Sequence, residues 1–289
     1  MVDCGAQTPC VGLTLRRLWL MIEYRRVSKT FPGGNDAVKD FSLTVPTGSL
    51  TVLVGSSGCG KTTLLRMVNR MVEPTSGSVE IDGQDVRQRD PVELRRSIGY
   101  VMQSGGLLPH RSVLDNIQTI PLLTGMDKSE SAARALELMD LVGLDHDLAG
   151  RYPQQLSGGQ QQRVGVARAL AVDPNILLMD EPFGAVDPVV RRELQKQLLD
   201  IQSRLHKTVV FVTHDVDEAF LLADQMVILR EGAEIAQVDT PQEIISHPAC
   251  DFCASFIGAA RASRPLSRSE ADPRLVVDED GRVQGRLEG

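Results

Sequence analysis

No apolar run in this 289-residue chain approaches the ~20 residues that a bilayer-spanning helix needs. By itself the chain builds no path across a membrane. Positive charge is also short: 31 Lys and Arg face 38 Asp and Glu, a net charge of -7, and no basic stripe dominates. A nucleic-acid backbone is therefore not an expected partner. The five cysteines are odd in number and too few for a disulfide framework, which fits a reducing compartment. Residues 10–22 have some of the apolarity of a signal peptide, but Arg16-Arg17 interrupts them and no small-residue cleavage site follows. At 42% hydrophobic, what remains is a globular chain able to bury a large core.

Against those absences stands a glycine-rich octet, Gly55-Ser56-Ser57-Gly58-Cys59-Gly60-Lys61-Thr62. It follows the β-branched run Thr51-Val-Leu-Val54 and precedes Thr63-Leu-Leu-Arg-Met-Val, which reads as a helix. Strand, glycine loop and helix in that order make a phosphate-binding loop. Glycines at 55, 58 and 60 let successive N–H groups turn inward, and the helix adds its positive end. Lys61 supplies charge to the β- and γ-phosphates of ATP, the Thr62 hydroxyl is placed to ligate Mg2+, and Thr63 is the next donor. The apolar run Asn175-Ile-Leu-Leu-Met179 then ends abruptly in Asp180-Glu181. Two carboxylates thus sit at the carboxyl end of a buried strand, where α/β sheets place ligands. Asp180 is expected to hold Mg2+. Glu181, pointing to the other face of the strand end, is expected to be the general base.

Leu156-Ser-Gly-Gly-Gln160 makes the reading specific, because here the chain resembles the ATP-binding cassette family. Ser157, Gly158, Gly159 and Gln160 open a helix and so offer a second anion-binding helix end. The resemblance implies that this turn, with Asp187, contacts ATP held by a partner subunit in a head-to-tail dimer. It implies too that His214, in Thr213-His214-Asp215, contacts the γ-phosphate and positions Glu181 and a water. Gln103 would sense Mg2+ and that water, and Phe31 would stack on adenine with Val38 beside it. Val186 stands where the family more often has Leu, and Phe31 where it more often has Tyr.

The resemblance covers roughly residues 21–262. It implies an α/β fold: a phosphate-loop NTPase core with an antiparallel β subdomain and an inserted helical arm at about 105–165. Residues 1–20 are either a disordered extension or a misassigned start. The remaining 263–289 are a tail in which Leu275–Arg286 reads as a hairpin turning at Asp280-Gly281, either a remnant of a CBS module or a weakly ordered acidic end. Cys250-Asp-Phe-Cys253 has redox-motif spacing, yet its surroundings read as a helix packed on the domain, so both are expected to be structural. Cys59, inside the loop, is expected to make ATPase activity sensitive to thiol reagents.

Met67–Gly77, Val101–His110, Pro182–Pro188 and Val212–Ala219 resemble the quaternary-amine importer ATPases in particular. That likeness implies uptake of glycine betaine, choline, carnitine or proline. Transmembrane permease subunits, an extracytoplasmic substrate-binding protein and a second copy of the chain would be its partners, on the cytoplasmic face of the cell membrane. The region after Leu107-Leu-Pro-His110 would receive the permease. An importer for another small polar nutrient stays open, as does a nucleotide-binding regulator, although the intact Lys61, Asp180, Glu181 and His214 speak against the latter.

Overall fold

The computed structural model describes residues 21–103, 106–184 and 186–260, together with three short strands at 267–268, 275–277 and 283–286. Its first elements are β1 (Ile22–Phe31), β2 (Asn35–Val45), β3 (Leu50–Gly55), α1 (Lys61–Val68), β4 (Ser76–Ile81), β5 (Gln84–Asp85), α2 (Pro91–Ser97) and β6 (Ile98–Val101). Three helices follow: α3 (Val113–Leu123), α4 (Lys128–Leu141) and α5 (Gly158–Leu170). Alternation then returns with β7 (Ile176–Asp180), α6 (Pro188–Leu205), β8 (Thr208–Thr213), α7 (Val216–Leu222), β9 (Gln225–Leu229) and β10 (Ile235–Asp239). The chain closes with α8 (Pro241–Ser246), α9 (Asp251–Ala260), β11 (Ser267–Arg268), β12 (Leu275–Val277) and β13 (Val283–Arg286).

A six-stranded sheet in the order β10-β9-β3-β8-β7-β6 forms the centre, and only the edge strand β10 runs antiparallel. Every residue of β3, β7 and β8 is buried, as strands covered on both faces must be. Alternation divides their side chains between two cores. Val52, Val54, Leu177, Met179, Val209 and Phe211 join α5, α6 and the arm helices on one face. Leu53, Leu178, Val210 and Val212 join Leu64, Leu65, Met67 and Val68 of α1 on the other. That second face also packs the antiparallel sheet β2-β1-β4-β5, where Tyr24 and Phe41 meet edge to face at 5.2 Å.

Helix starts follow their capping residues. Ser112, Asp127, Ser157, Asp187 and Thr240 each accept a backbone N–H in the first turn of α3, α4, α5, α6 and α8. The helical stretch runs from α3 into α5, which continues to Leu170 and into the core, so no element ends at 165. α2 starts on an Asp90 cap with Pro91 at its first position, a start signal present in the sequence. Near the end, His247-Pro248 separates α8 from α9, so the helix around the cysteines begins only at Asp251. β12 and β13 pair antiparallel, as the hairpin reading expects. Residues 1–20 and the Asp280-Gly281 turn lie outside the described residues.

Candidate active site

β3, β7 and β8 end level with one another, since Val54 pairs with Thr213 and Asp180 with Val212. Three of the sequence motifs thereby meet at one edge of the sheet. From β3 the chain passes through Ser56–Gly60 into α1. Gly60 caps that helix at φ 109°, and a Cβ there would lie 2.4 Å from the Ala37 carbonyl oxygen. At Gly55 a Cβ would be 2.5 Å from the Leu229 carbonyl oxygen, so close approach rather than a positive φ demands this glycine. Lys61, 4% exposed, reaches back across the loop and donates to the Gly55 and Ser56 carbonyls at 2.8 Å each. Loop and helix line an open hollow of about 180 Å3 with Ser57, Gly58, Gly60, Lys61, Thr62 and Thr63, bordered by Ala37 and Glu181.

Thr62 Oγ1 donates to Asp180 Oδ1 at 2.8 Å, which puts two hard oxygen ligands side by side as Mg2+ prefers. Asp180 Oδ2 accepts from Tyr100 at 3.2 Å and from Arg66 Nη2 at 3.4 Å. Neither residue was foreseen. Arg66 stands four residues after Thr62 on the same face of α1, a spacing that could have signalled it. Tyr100, in a strand, carried no such signal. Burial raises its phenol above the ordinary range, and the adjacent guanidinium opposes the shift.

Glu181 carries its carboxylate to the hollow by a different route from the one expected. Strand alternation stops at Asp180, and Glu181 adopts φ 45°, with its N–H donating to the Val212 carbonyl at 3.0 Å. The left-handed turn therefore aims the side chain. Gln103 Nε2 donates to Glu181 Oε2 at 3.1 Å, and His214 Nδ1 lies 3.1 Å from the same oxygen. Gln103 thus stands with Glu181, not with Thr62 and Asp180, so it falls outside the pair that fits a metal.

Behind His214, Asp215 ties the loop down: its N–H donates to Thr213 Oγ1 at 3.0 Å and its carboxylate pairs with Arg191 at 3.3 Å. Next in this support is the buried Glu218, which accepts from Gln195 Nε2 at 2.9 Å. Burial holds its carboxyl above the usual range.

The residues expected at the base are less open than supposed. Val38 is 1% exposed and belongs to the core, while Ala37, one position earlier on β2, faces the hollow. The strand's period of two accounts for the exchange. Phe31 ends β1, half-buried, with the Lys29 ammonium 5.2 Å from its ring centre. It is not among the residues lining the hollow. Cys59 is 1% exposed beneath the loop, out of reach of a thiol reagent in this conformation.

The second glycine turn is built as a capping box. Ser157 Oγ accepts from Gln160 N at 3.3 Å, while Gln160 Oε1 accepts from Ser157 N at 2.9 Å. Gln160 is thereby committed within its own helix. Gly159 is buried, and a Cβ there would meet Val190 Cγ1 at 2.5 Å, so a side chain at this position would have to displace Val190 on α6. Ser157 and Gly158 are exposed. Asp187 is exposed as well, but its Oδ1 accepts from Val189 N and Val190 N at 3.1 Å each, as the cap of α6. Ser157 lines a separate hollow of about 300 Å3 that shares no residue with the one at the phosphate loop.

Comparison with known proteins adds the lineage. A family model described as ABC transporter matches residues 38–184. The carnitine transport ATP-binding protein of Listeria monocytogenes is 49% identical over 83% of this chain and 60% of its own length. The choline transport ATP-binding protein of Bacillus subtilis is 50% identical over 83% and 63%. For the glycine betaine uptake system ATP-binding protein of Escherichia coli the figures are 50%, 87% and 82%. The chain thus spans less than two thirds of the length of the first two. Among solved structures, a dimeric ATP-binding cassette in a post-hydrolysis state with ADP and Pi superimposes with a TM-score of 0.70 at 34% identity, covering 76% of this chain and 98% of that one.

Proposed function

This chain belongs to the ABC transporter family, and on that premise we propose that it is the ATP-hydrolysing subunit of an importer for an osmoprotectant such as glycine betaine, choline, carnitine or proline. The observation that carries the reading is the meeting of Lys61 and Thr62, Asp180 and Glu181, and Gln103 and His214 at neighbouring strand ends. ATP lays its phosphates along the loop N–H groups, and Lys61 exchanges its two carbonyl partners for phosphate oxygens. Thr62 and Asp180 would hold Mg2+, which when bound supplies neutralising charge to those oxygens. Glu181 accepts the proton of the attacking water, its carboxylate held by Gln103 and His214.

A second copy of the chain completes the site, with Ser157 and Gly158 of each copy facing ATP on the other. Two features support this: the separate placement of the two hollows and the dimeric state of the related cassette. Among the described residues no helix is long and apolar enough to cross a membrane, so a permease is needed as partner. It would dock at the arm near Leu107–His110, with an extracytoplasmic binding protein delivering cargo and the chain peripheral on the cytoplasmic face.

The test is uptake of radiolabelled glycine betaine, choline, carnitine and proline under high salt in a strain deleted for this gene and for redundant importers. Wild-type copies should restore uptake and Lys61→Ala should not. Unchanged uptake of all four compounds after the deletion would sink the cargo assignment.

A further inference from the structure

Far along the chain from the residues assigned to ATP, Cys250 and Cys253 bring their sulfurs to 3.5 Å at the amino end of α9. Cys250 immediately precedes that helix and is partly exposed; Cys253 lies in its first turn and is fully buried. On the other side of the Cys250 sulfur, Arg230 Nη2 approaches to 3.2 Å. The guanidinium is held from two further directions, by Glu234 at 3.1 Å and by the Phe252 ring, whose centre is 4.8 Å from Cζ.

We propose that Cys250 and Cys253 form a redox-active dithiol, a modification site that closes to an intramolecular disulfide by exchange with a low-molecular-weight disulfide. Cys250 is the attacking thiol and Cys253 the resolving one.

The asymmetry of the pair assigns these roles. Cys250 can be reached from solvent, and a helix N-terminus together with a guanidinium favours its thiolate. The Cys253 backbone N–H and then its thiol, both donating to the Cys250 sulfur, hold Cys250 below the usual thiol range. Burial in turn pushes the Cys253 thiol up to about 11, so it stays protonated and donates. Burial opposes the shift at Cys250; of the nearby acids, Glu234 is paired by Arg230 Nη1 while Nη2 meets the sulfur, and Asp251 is the next residue along the chain.

In the first step the Cys250 thiolate bonds to one sulfur of the disulfide RSSR, the S–S bond breaks, and RS− leaves and takes up a proton. Cys253 then gives its proton to solvent and attacks the Cys250 sulfur. The mixed S–S bond breaks and a second RS− leaves as RSH. Two protein thiols lose two electrons, and RSSR gains them as two RSH. The pair is also fastened close to the phosphate loop. Arg230 directly follows β9, and Ala233 N donates to the Cys59 carbonyl at 2.7 Å.

The experiment exposes the reduced full-length chain to glutathione disulfide and maps the products by peptide mass spectrometry, which separates this pair from Cys4, Cys10 and Cys59. Wild type should lose two hydrogens across the 250–253 peptide and hold no lasting glutathionyl group. Cys253→Ser should keep one glutathionyl group on Cys250, whereas Cys250→Ser should leave Cys253 unmodified. Arg230→Gln should slow iodoacetamide alkylation of Cys250 several-fold in the Cys253→Ser background. A glutathionyl group that persists on wild-type Cys250, modification of Cys253 in Cys250→Ser, or an unchanged alkylation rate in Arg230→Gln would overturn the proposal.

Discussion

Replacing Gly60 and Gly58 separately by alanine isolates what the phosphate loop requires of its backbone. Both have positive φ, 109° and 83°. Their surroundings differ. A Cβ at Gly58 meets nothing within 4 Å, whereas one at Gly60 would lie 2.4 Å from a backbone oxygen of Ala37 that no side-chain rotation can move. Gly58→Ala should therefore cost only the left-handed backbone penalty for an L-residue, about 1–2 kcal/mol. Gly60→Ala adds a steric cost of about 1–3 kcal/mol, which brings its total to roughly 2–5 kcal/mol. At about 1.4 kcal/mol per tenfold, ATP affinity should fall roughly 5- to 30-fold for Gly58→Ala and from about 30-fold to over 1,000-fold for Gly60→Ala. Any part of the cost that the free loop cannot relax appears instead as lost stability. Titration with a fluorescent ATP analogue and urea unfolding, summed for each variant, capture both shares. Equal summed losses would refute the claim that contact with β2 fixes the loop.

Three further outcomes are expected. Glu181→Gln should bind ATP near the wild-type level, since the amide fills the same space beside Gln103 and His214, but ATPase assays of the assembled transporter should find turnover lost. Ser157→Arg should leave single-chain ATP affinity nearly intact and abolish ATP-dependent dimerisation in the Glu181→Gln background, as read by size exclusion; loss of monomer binding would contradict the two-chain site. Glu218→Gln tests a buried carboxyl: because burial raises its pKa, the folded state holds the proton more tightly, so stability falls as pH rises from the unfolded pKa through the folded one. The amide keeps an acceptor for Gln195 and cannot ionise, so its melting temperature should exceed wild type at neutral pH, with the gain vanishing below about pH 4.

What could be read from the sequence was whatever a single segment determines. A strand buried on both faces shows as a continuous apolar run, so β3 and β7 were legible together with the motifs at their ends. The level at which those ends meet follows from parallel register, which no one segment contains. For the same reason Tyr100 was missed: its partner Asp180 is 80 residues away and reached only across the sheet. Val38 was misplaced by a different cause. Whether a residue of β2 faces the core or the hollow depends on a strand phase shared with its neighbour Ala37.

Glu181 and Gly159 show a deeper limit, since the structure gives each a physical ground that no single segment contains. The carboxylate reaches the hollow because the chain leaves the strand into a left-handed turn, held by the Val212 carbonyl on the next strand. A side chain in place of the second turn's Gly159 would have to displace Val190 on α6. Both constraints are tertiary, and both fix the backbone at residues proposed to serve catalysis or assembly. Gly159→Ala accordingly separates the two meanings of that turn. If packing alone demands the glycine, stability should fall by about 1–3 kcal/mol while ATP-dependent dimerisation of the folded fraction persists. If the partner's nucleotide also needs the glycine, dimerisation should be lost at full stability. Urea unfolding and size exclusion on the same preparation distinguish the outcomes, and the 2.5 Å approach to Val190 makes the first the expected one.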